Sequence, residues 1–281
     1  MRTGVKKLLA VAAVTLTLAA TAGCSTTERD PNLKKLDYSV VPQVFAVIGD
    51  FGVGNKHEAA VAKMVHSFDP SQVLSVGDNA YKHKGYKRLV GQYYSDPIVA
   101  ATGNHDYLMG ISAFDAYFNP KVSGRNFVYQ AASGVDFFIL DSQAGLISRE
   151  QLAHQKAWLT KKLAESTAKF KVVLFHHPPY SSGKHGSTKR YQWNFGALGV
   201  DLVISGHDHT YERIYRAGTK FIVDGTGGAN LYKCSWNRVY GSKLCLDNHF
   251  GALFLYVNKY SVRGVFRGVS GRTLDTFTIE K

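Results

Sequence analysis

The chain has 281 residues with 34 Lys+Arg against 21 Asp+Glu, and 45% of its residues are hydrophobic, 12% aromatic and 20% charged. That balance excludes a disordered chain and a low-charge polytopic membrane protein. Three cysteines exclude a disulfide scaffold, and seven prolines and 27 glycines without a period exclude collagen and long low-complexity linkers. A chain of this length can form one α/β domain with a large buried core.

Arg2, Lys6 and Lys7 precede an apolar run from Leu8 to Ala20. The run is short for a membrane span but right for the core of a secretory signal. Residues 1–23 therefore read as a leader, and the mature chain as exported, to a bacterial cell envelope or beyond it. Two cleavage patterns fit. Ala20-Thr21-Ala22 satisfies the small-residue rule, whereas Thr21-Ala22-Gly23-Cys24 resembles a bacterial lipobox, with Thr21 where Leu is preferred. We adopt the second, because the small residues end at a lone cysteine followed by a polar tether over residues 24–43. Membrane attachment through a lipid on Cys24 follows from this reading.

Removing residues 1–23 takes away three positive charges and no negative ones, lowering the net charge from +13 to +10. The surplus raises the local concentration of anionic substrates such as phosphate esters. No specific nucleic-acid partner is expected. Cys234 and Cys245, in an exported chain, are expected to form a local disulfide, and the lack of Cys-x-x-Cys argues against a thiolate zinc site.

In chain order, Val44 to Gly49 reads as a buried strand ending in Asp50, and Asn55 to Phe68 as a helix with an Asn cap. Gln72 to Gly77 is a strand ending in Asp78, Lys84 to Tyr94 a helix, and Pro97 to Thr102 a strand leading to Gly103-Asn104-His105-Asp106. Phe127 to Gln130 and Val135 to Leu140 read as paired strands, and Ser148 to Glu165 as an amphipathic helix with Leu152, Trp158, Leu159 and Leu163 inward. Phe170 to Phe175 is a strand ending in His176-His177, and Asp201 to Ser205 one ending at Gly206-His207-Asp208-His209. The remainder, Thr219 to Val223, Ala252 to Asn258, Ser261 to Phe266 and Thr273 to Ile279, reads as antiparallel strands. No linker interrupts residues 44–281.

Five strands thus end in Asp, Asn or His. In an α/β sheet, residues at the carboxyl ends of strands converge on one crevice. Carboxylates, an amide oxygen, a phenol and imidazoles suit two hard or borderline cations bridged by a carboxylate. Each piece alone is weak, since an Asp after a strand is commonly a cap or turn former; the ordered set carries the argument.

The blocks Gly49-Asp50-Phe51-Gly52, Gly77-Asp78-Asn79-Ala80-Tyr81, Gly103-Asn104-His105-Asp106, Val173-Leu174-Phe175-His176 and Gly206-His207-Asp208-His209 resemble those of the calcineurin-like metallophosphoesterases, and within them the purple acid phosphatases. The resemblance spans about Val44 to Asn230. Many relatives carry Asp-x-His in the first block; here Gly52 holds that place and Tyr81 offers a phenolate, a hard donor that favours Fe(III). The resemblance implies a four-layer sandwich of two mixed β-sheets flanked by helices over residues 44–281. It implies that Asp50, Tyr81 and His209 bind Fe(III), that Asn104, His176 and His207 bind a divalent Fe, Zn or Mn ion, and that Asp78 bridges them. The implied activity is acid hydrolysis of phosphomonoesters, small molecules or phosphoproteins, by a metal-bound hydroxide.

In such a site His105 contacts phosphate and assists the leaving group, with Asp106 orienting it, and His185 binds phosphate or acts as general acid. His57, His66, His83, His154 and His249 match no functional position. His177 is expected to point to the opposite face of its strand from His176. The Gly225-Thr226-Gly227-Gly228 loop resembles one that follows the last ligand strand, and Tyr191 and Trp193 fit either pocket or core. The alternatives are a phosphodiesterase or nucleotidase of the same fold, and an envelope lipoprotein that binds without catalysis.

Overall fold

A computed structural model describes residues 41–81, 85–118 and 124–281. The expected leader over residues 1–23, Cys24 with residues 24–40 of the tether, and His83 lie outside the described residues. The described residues belong to one compact unit. No helix among the described residues is long and apolar enough to cross a membrane.

The first half alternates strand and helix. β1 (Gln43–Ile48) leads to α1 (Lys56–Ser67), whose start is capped as expected: the Asn55 side chain accepts the His57 and Glu58 backbone N–H groups. β2 (Gln72–Ser75), α2 (Tyr86–Leu89), β3 (Val99–Ala100), α3 (Asn104–Met109) and α4 (Ile111–Phe118) follow. The helix expected from Lys84 is one short turn, and α3 and α4 were not foreseen. α3 opens on a glycine rather than a polar cap, and α4 follows it almost directly, so neither shows an isolated start signal.

β4 (Phe127–Gln130), β5 (Val135–Ile139), α5 (Ser142–Ile147), α6 (Arg149–Glu165), β6 (Phe170–Leu174) and β7 (Leu202–Ser205) continue the chain. It closes with β8 (Tyr211–Arg216), β9 (Thr219–Asp224), β10 (Ser242–Leu246), β11 (Gly251–Val257), β12 (Ser261–Gly268) and β13 (Thr273–Glu280). One sheet has the order β13-β12-β11-β1-β2-β3, the other β10-β8-β9-β7-β6-β5-β4. Both are mixed: β1, β2 and β3 run parallel in the first and β5, β6, β7 and β9 in the second. β9 was expected to be antiparallel; it is antiparallel only to β8, because the Ala217-Gly218 turn returns the chain between β8 and β7.

Burial follows the two-residue period of the strands. In β1, Phe45 and Val47 enter a core shared with Phe137 and Ile139 of β5 and Val172 and Leu174 of β6, while Ala46 and Ile48 pack with Val61, Met64 and Val65 of α1. Phe138 and Val173 face the other way, onto Leu159 and Leu163 of α6. The result is helix, sheet, sheet, helix, the expected four-layer sandwich. Its parallel strands read as continuous apolar runs because both faces are covered. Leu152 and Trp158 are only half-buried, and Tyr191 and Trp193 belong to the outer core.

Candidate metal centre

The carboxyl ends of β1, β2 and β3 in one sheet and of β6 and β7 in the other open on the same crevice. Asp50, Asp78 and Asn104 come from the first sheet, and His176, His207 and His209 from the second. Asp50, Asp78 and His207 have φ of 56°, 52° and 69°, the left-handed region that costs a non-glycine residue energy and is tolerated where surrounding structure enforces it. The chain here approaches itself too closely for side chains at the neighbouring glycines. A Cβ on Gly206 would lie 2.4 Å from Asp50 Oδ2. At Gly52 a Cβ would lie 1.8 Å from the Asn79 carbonyl oxygen, so this backbone excludes a histidine at that place.

The side chains form two adjoining groups. In the first, the Tyr81 hydroxyl lies 3.0 Å from both Asp50 Oδ1 and His209 Nε2, and His209 Nε2 is 3.3 Å from Asp50 Oδ1. In the second, His176 Nε2 lies 3.1 Å from Asn104 Oδ1 and 3.2 Å from His207 Nδ1. Asp78 Oδ2 is 3.4 Å from His176 Nε2, while its Oδ1 accepts the His105 backbone N–H at 2.8 Å. Donor atoms of Asp50, Asp78 and His176 all lie within 4.8 Å of one another, which puts Asp78 between the groups.

The outer hydrogen bonds fix how the imidazoles face. His176 Nδ1 is 3.0 Å from the Val76 carbonyl and His209 Nδ1 is 2.7 Å from the Asn230 carbonyl. A carbonyl only accepts, so each Nδ1 carries the proton and each Nε2 presents its lone pair inward, the arrangement that orients a metal-binding histidine. His176 Nε2 then faces an amide oxygen, a carboxylate and a second imidazole nitrogen. Such a set of electron-pair donors needs a cation or an added proton. Without a metal the proton serves: burial opposes a charged ring, but Asp78 outweighs it and pushes His176 up to about 9. Burial and the Asp50 and Asp78 carboxylates hold the Tyr81 phenol well above its usual range. Only a cation could stabilise its phenolate here. The donors fit two metal ions.

His105 lies beside the groups with its ring 4.2 Å from that of Tyr81, and His185 stacks on His207 at 4.2 Å. Both are therefore gathered at the crevice. Asp106 does not orient His105. At the third position of α3 its carboxylate folds back to accept the Gly103 backbone N–H and also holds Asn79 and Tyr86. His177 is buried but lies on the site's side rather than the opposite face, its ring 4.5 Å from His207, because β6 ends at Leu174 and strand alternation stops there. Ser142 fixes it, accepting its backbone N–H and meeting Nδ1 at 2.8 Å. The glycine loop closes the floor, with Gly227 N–H donating to the Gly49 carbonyl.

Two contributors escaped the sequence. Asp208 lies between the site histidines, yet its carboxylate accepts the Ser181 hydroxyl and the His185 and Gly186 backbone N–H groups. Tyr232 stacks on His209 at 4.1 Å and meets His185 edge-on at 5.4 Å. No motif marks it; its backbone N–H, donated to the His209 carbonyl at 3.0 Å two residues before the Cys234–Cys245 disulfide, holds it there.

This architecture and crevice define an α/β metallophosphoesterase. The chain belongs to the calcineurin-like phosphoesterase family, whose pattern matches residues 44–211. It is 28% identical to purple acid phosphatase 3 of Arabidopsis thaliana over 82% of this chain and 75% of that one. It is 27% identical to tartrate-resistant acid phosphatase type 5 of Oryctolagus cuniculus over 65% and 72%. Its fold is similar to that of purple acid phosphatase PPD1 from yellow lupin (Lupinus luteus) seeds, with a TM-score of 0.70 and 20% identity, over 87% of this chain and 55% of that one.

Proposed function

We propose that the protein hydrolyses phosphomonoesters at a dinuclear metal centre. The observation that carries this reading is the pair of donor groups joined through Asp78, with imidazole lone pairs turned inward. Asp50, Tyr81 and His209 would hold Fe(III), Asn104, His176 and His207 a divalent Fe, Zn or Mn ion, and Asp78 would bridge them. One relative, 27% identical, is named an Fe(3+)-Zn(2+) purple acid phosphatase, which supports this choice. When bound, the two ions neutralise the phosphate and activate the attacking water.

The residues of this chain do the rest. His105, held beside Asp78 by its backbone N–H, contacts a phosphate oxygen and gives a proton to the leaving oxygen as the ester P–O bond breaks. His185, stacked on His207, contacts phosphate from the other side of the crevice. The products are an alcohol and inorganic phosphate. The expected leader and a lipid on Cys24 would put this activity outside the cytoplasm, tethered to a membrane, as part of the same proposal.

The test is the visible spectrum and substrate range of the protein purified with its native metals, beside Tyr81→Phe. A visible tyrosinate-to-iron band lost in the variant, with monoesters hydrolysed faster than diesters, is expected. An active protein without the band would replace Fe(III) with a divalent ion, and diester hydrolysis without monoester hydrolysis would overturn the reading.

A further inference from the structure

Trp236 is fully exposed, at 103% of its reference accessibility, although tryptophan is usually well covered. It is not on a loose tail. The Cys234–Cys245 disulfide closes its loop, Ser235 N–H donates to the Ser182 carbonyl at 2.7 Å, and Val239 N–H donates to the Ser182 hydroxyl at 3.0 Å. Ser182 belongs to the segment that carries Lys184 and His185. Two residues before that loop begins, Tyr232 covers His209 and touches His185. Trp236 is four residues further on, at most about 14 Å of extended chain. The loop is thus a firmly held rim of the metal centre that carries an uncovered indole.

Charge accompanies the ring. Lys184 Nζ lies 5.0 Å from the centre of the Tyr232 ring, and Arg238 is exposed two residues after Trp236. Among the described residues, neither has a carboxylate within ion-pair distance. Tyr232 has one face on His209 and Lys184 near its ring, so the free π-face of this rim is that of Trp236; with these cations it makes the combination that holds a nucleotide by stacking its base and attracting its anionic part.

We propose that the disulfide-closed loop over residues 234–245 is a leaving-group subsite, with Trp236 stacking on the base of a nucleoside 5′-monophosphate while the metal centre holds its phosphate. This rests on the phosphomonoesterase reading above and adds the class of leaving group. A glycerol phosphate reaches the same centre but has no base to stack.

The experiment compares AMP with glycerol 2-phosphate as substrates of the metal-loaded full chain. The wild type should prefer AMP in kcat/KM. Trp236→Ala should lower the AMP to glycerol-phosphate ratio by about five- to a hundredfold, mainly through KM for AMP, the range found when a base-stacking aromatic is truncated. Trp236→Phe should keep the ratio within about threefold. A ratio that moves less than twofold in Trp236→Ala overturns the subsite. Binding gives a second readout: AMP should quench tryptophan fluorescence in the wild type and much less in Trp236→Phe, and equal quenching in both overturns it. A protein that hydrolyses neither ester yet shows the Trp236-dependent quench would refute the hydrolytic reading and keep the subsite.

Discussion

Asp208 separates the two histidines of the Gly-His-x-His block, but its carboxylate accepts the backbone N–H of His185, 2.7 Å away. It also takes the Ser181 hydroxyl and Gly186 N–H. One buried side chain thus joins the end of β7 to the exposed loop that carries His185. Asp208→Asn exchanges one acceptor oxygen for a donor that faces N–H groups, which leaves a buried polar mismatch. We expect kcat/KM on a monoester to fall at least tenfold while the chain still binds two ions. Steady-state kinetics with metal analysis checks this; loss of metal together with activity would show that Asp208 supports the centre itself.

The two donor groups should be separable. Asn104→Ala removes one donor from the His176–His207 group and none from the Asp50–Tyr81–His209 group. Its stoichiometry should fall from two ions per chain to about one, with the tyrosinate band retained. Asp78→Ala removes the atom between the groups and should weaken both sites. Metal analysis after dialysis distinguishes the cases, and equal losses in both variants would contradict the division drawn here.

Gly206→Ala tests the close approach. Its Cβ would lie 2.4 Å from Asp50 Oδ2 and 3.3 Å from His176 Nδ1, both in buried side chains with little room to yield. Overpacking of this kind costs about 1–3 kcal/mol, and here it displaces a carboxylate of the centre. Chemical denaturation should show the stability loss, and the visible band should shift or vanish. A variant with wild-type stability and spectrum would mean that the crevice relaxes freely.

Asp224 gives a pH dependence with a defined sign. Burial pushes its carboxyl up to about 7, against hydrogen bonds from Thr226 and the Leu253 N–H that favour its ionised form. The native state therefore holds its proton more tightly than the unfolded chain. Its contribution is fully present below about pH 4 and is lost as pH rises toward 7, by at most about 1.4 kcal/mol per pH unit. In the metal-free protein, Asp224→Asn should gain stability over the wild type across that window and hold the advantage above it. Denaturation midpoints at pH 4 and pH 7.5 check this; a constant difference between the two proteins would exclude the titration.

Much of the fold was legible because the parallel strands are covered on both faces, so β1, β2, β6 and β7 stand out as short apolar runs ending in polar residues. β8 was not legible: no apolar run marks Tyr211-Glu212-Arg213, yet Glu212 is buried because Ser182 and Ser242 satisfy its carboxylate. β10 was hidden likewise, a short Ser-Lys-Leu-Cys-Leu strand set by pairing with β8 and by the disulfide. Secondary-structure periodicity records local burial and cannot record partners that arrive from distant segments.

The candidate centre divides in the same way. The sequence by itself determined the order of the candidate donors: Asp50, Asp78, Asn104, His176 and His207 follow strands whose apolar runs mark them, and Tyr81 and His209 were added by the resemblance of their blocks to the purple acid phosphatases. Only the tertiary structure decided that donors from two sheets share one crevice, that the Val76 and Asn230 carbonyls turn the imidazole lone pairs inward, and that Asp106 holds Asn79 instead of His105. It alone brought Tyr232, His177 and Asp208 to the site. Their roles depend on distances across the fold, set by side-chain packing and by where each backbone N–H finds its acceptor, and no spacing along the chain encodes those distances.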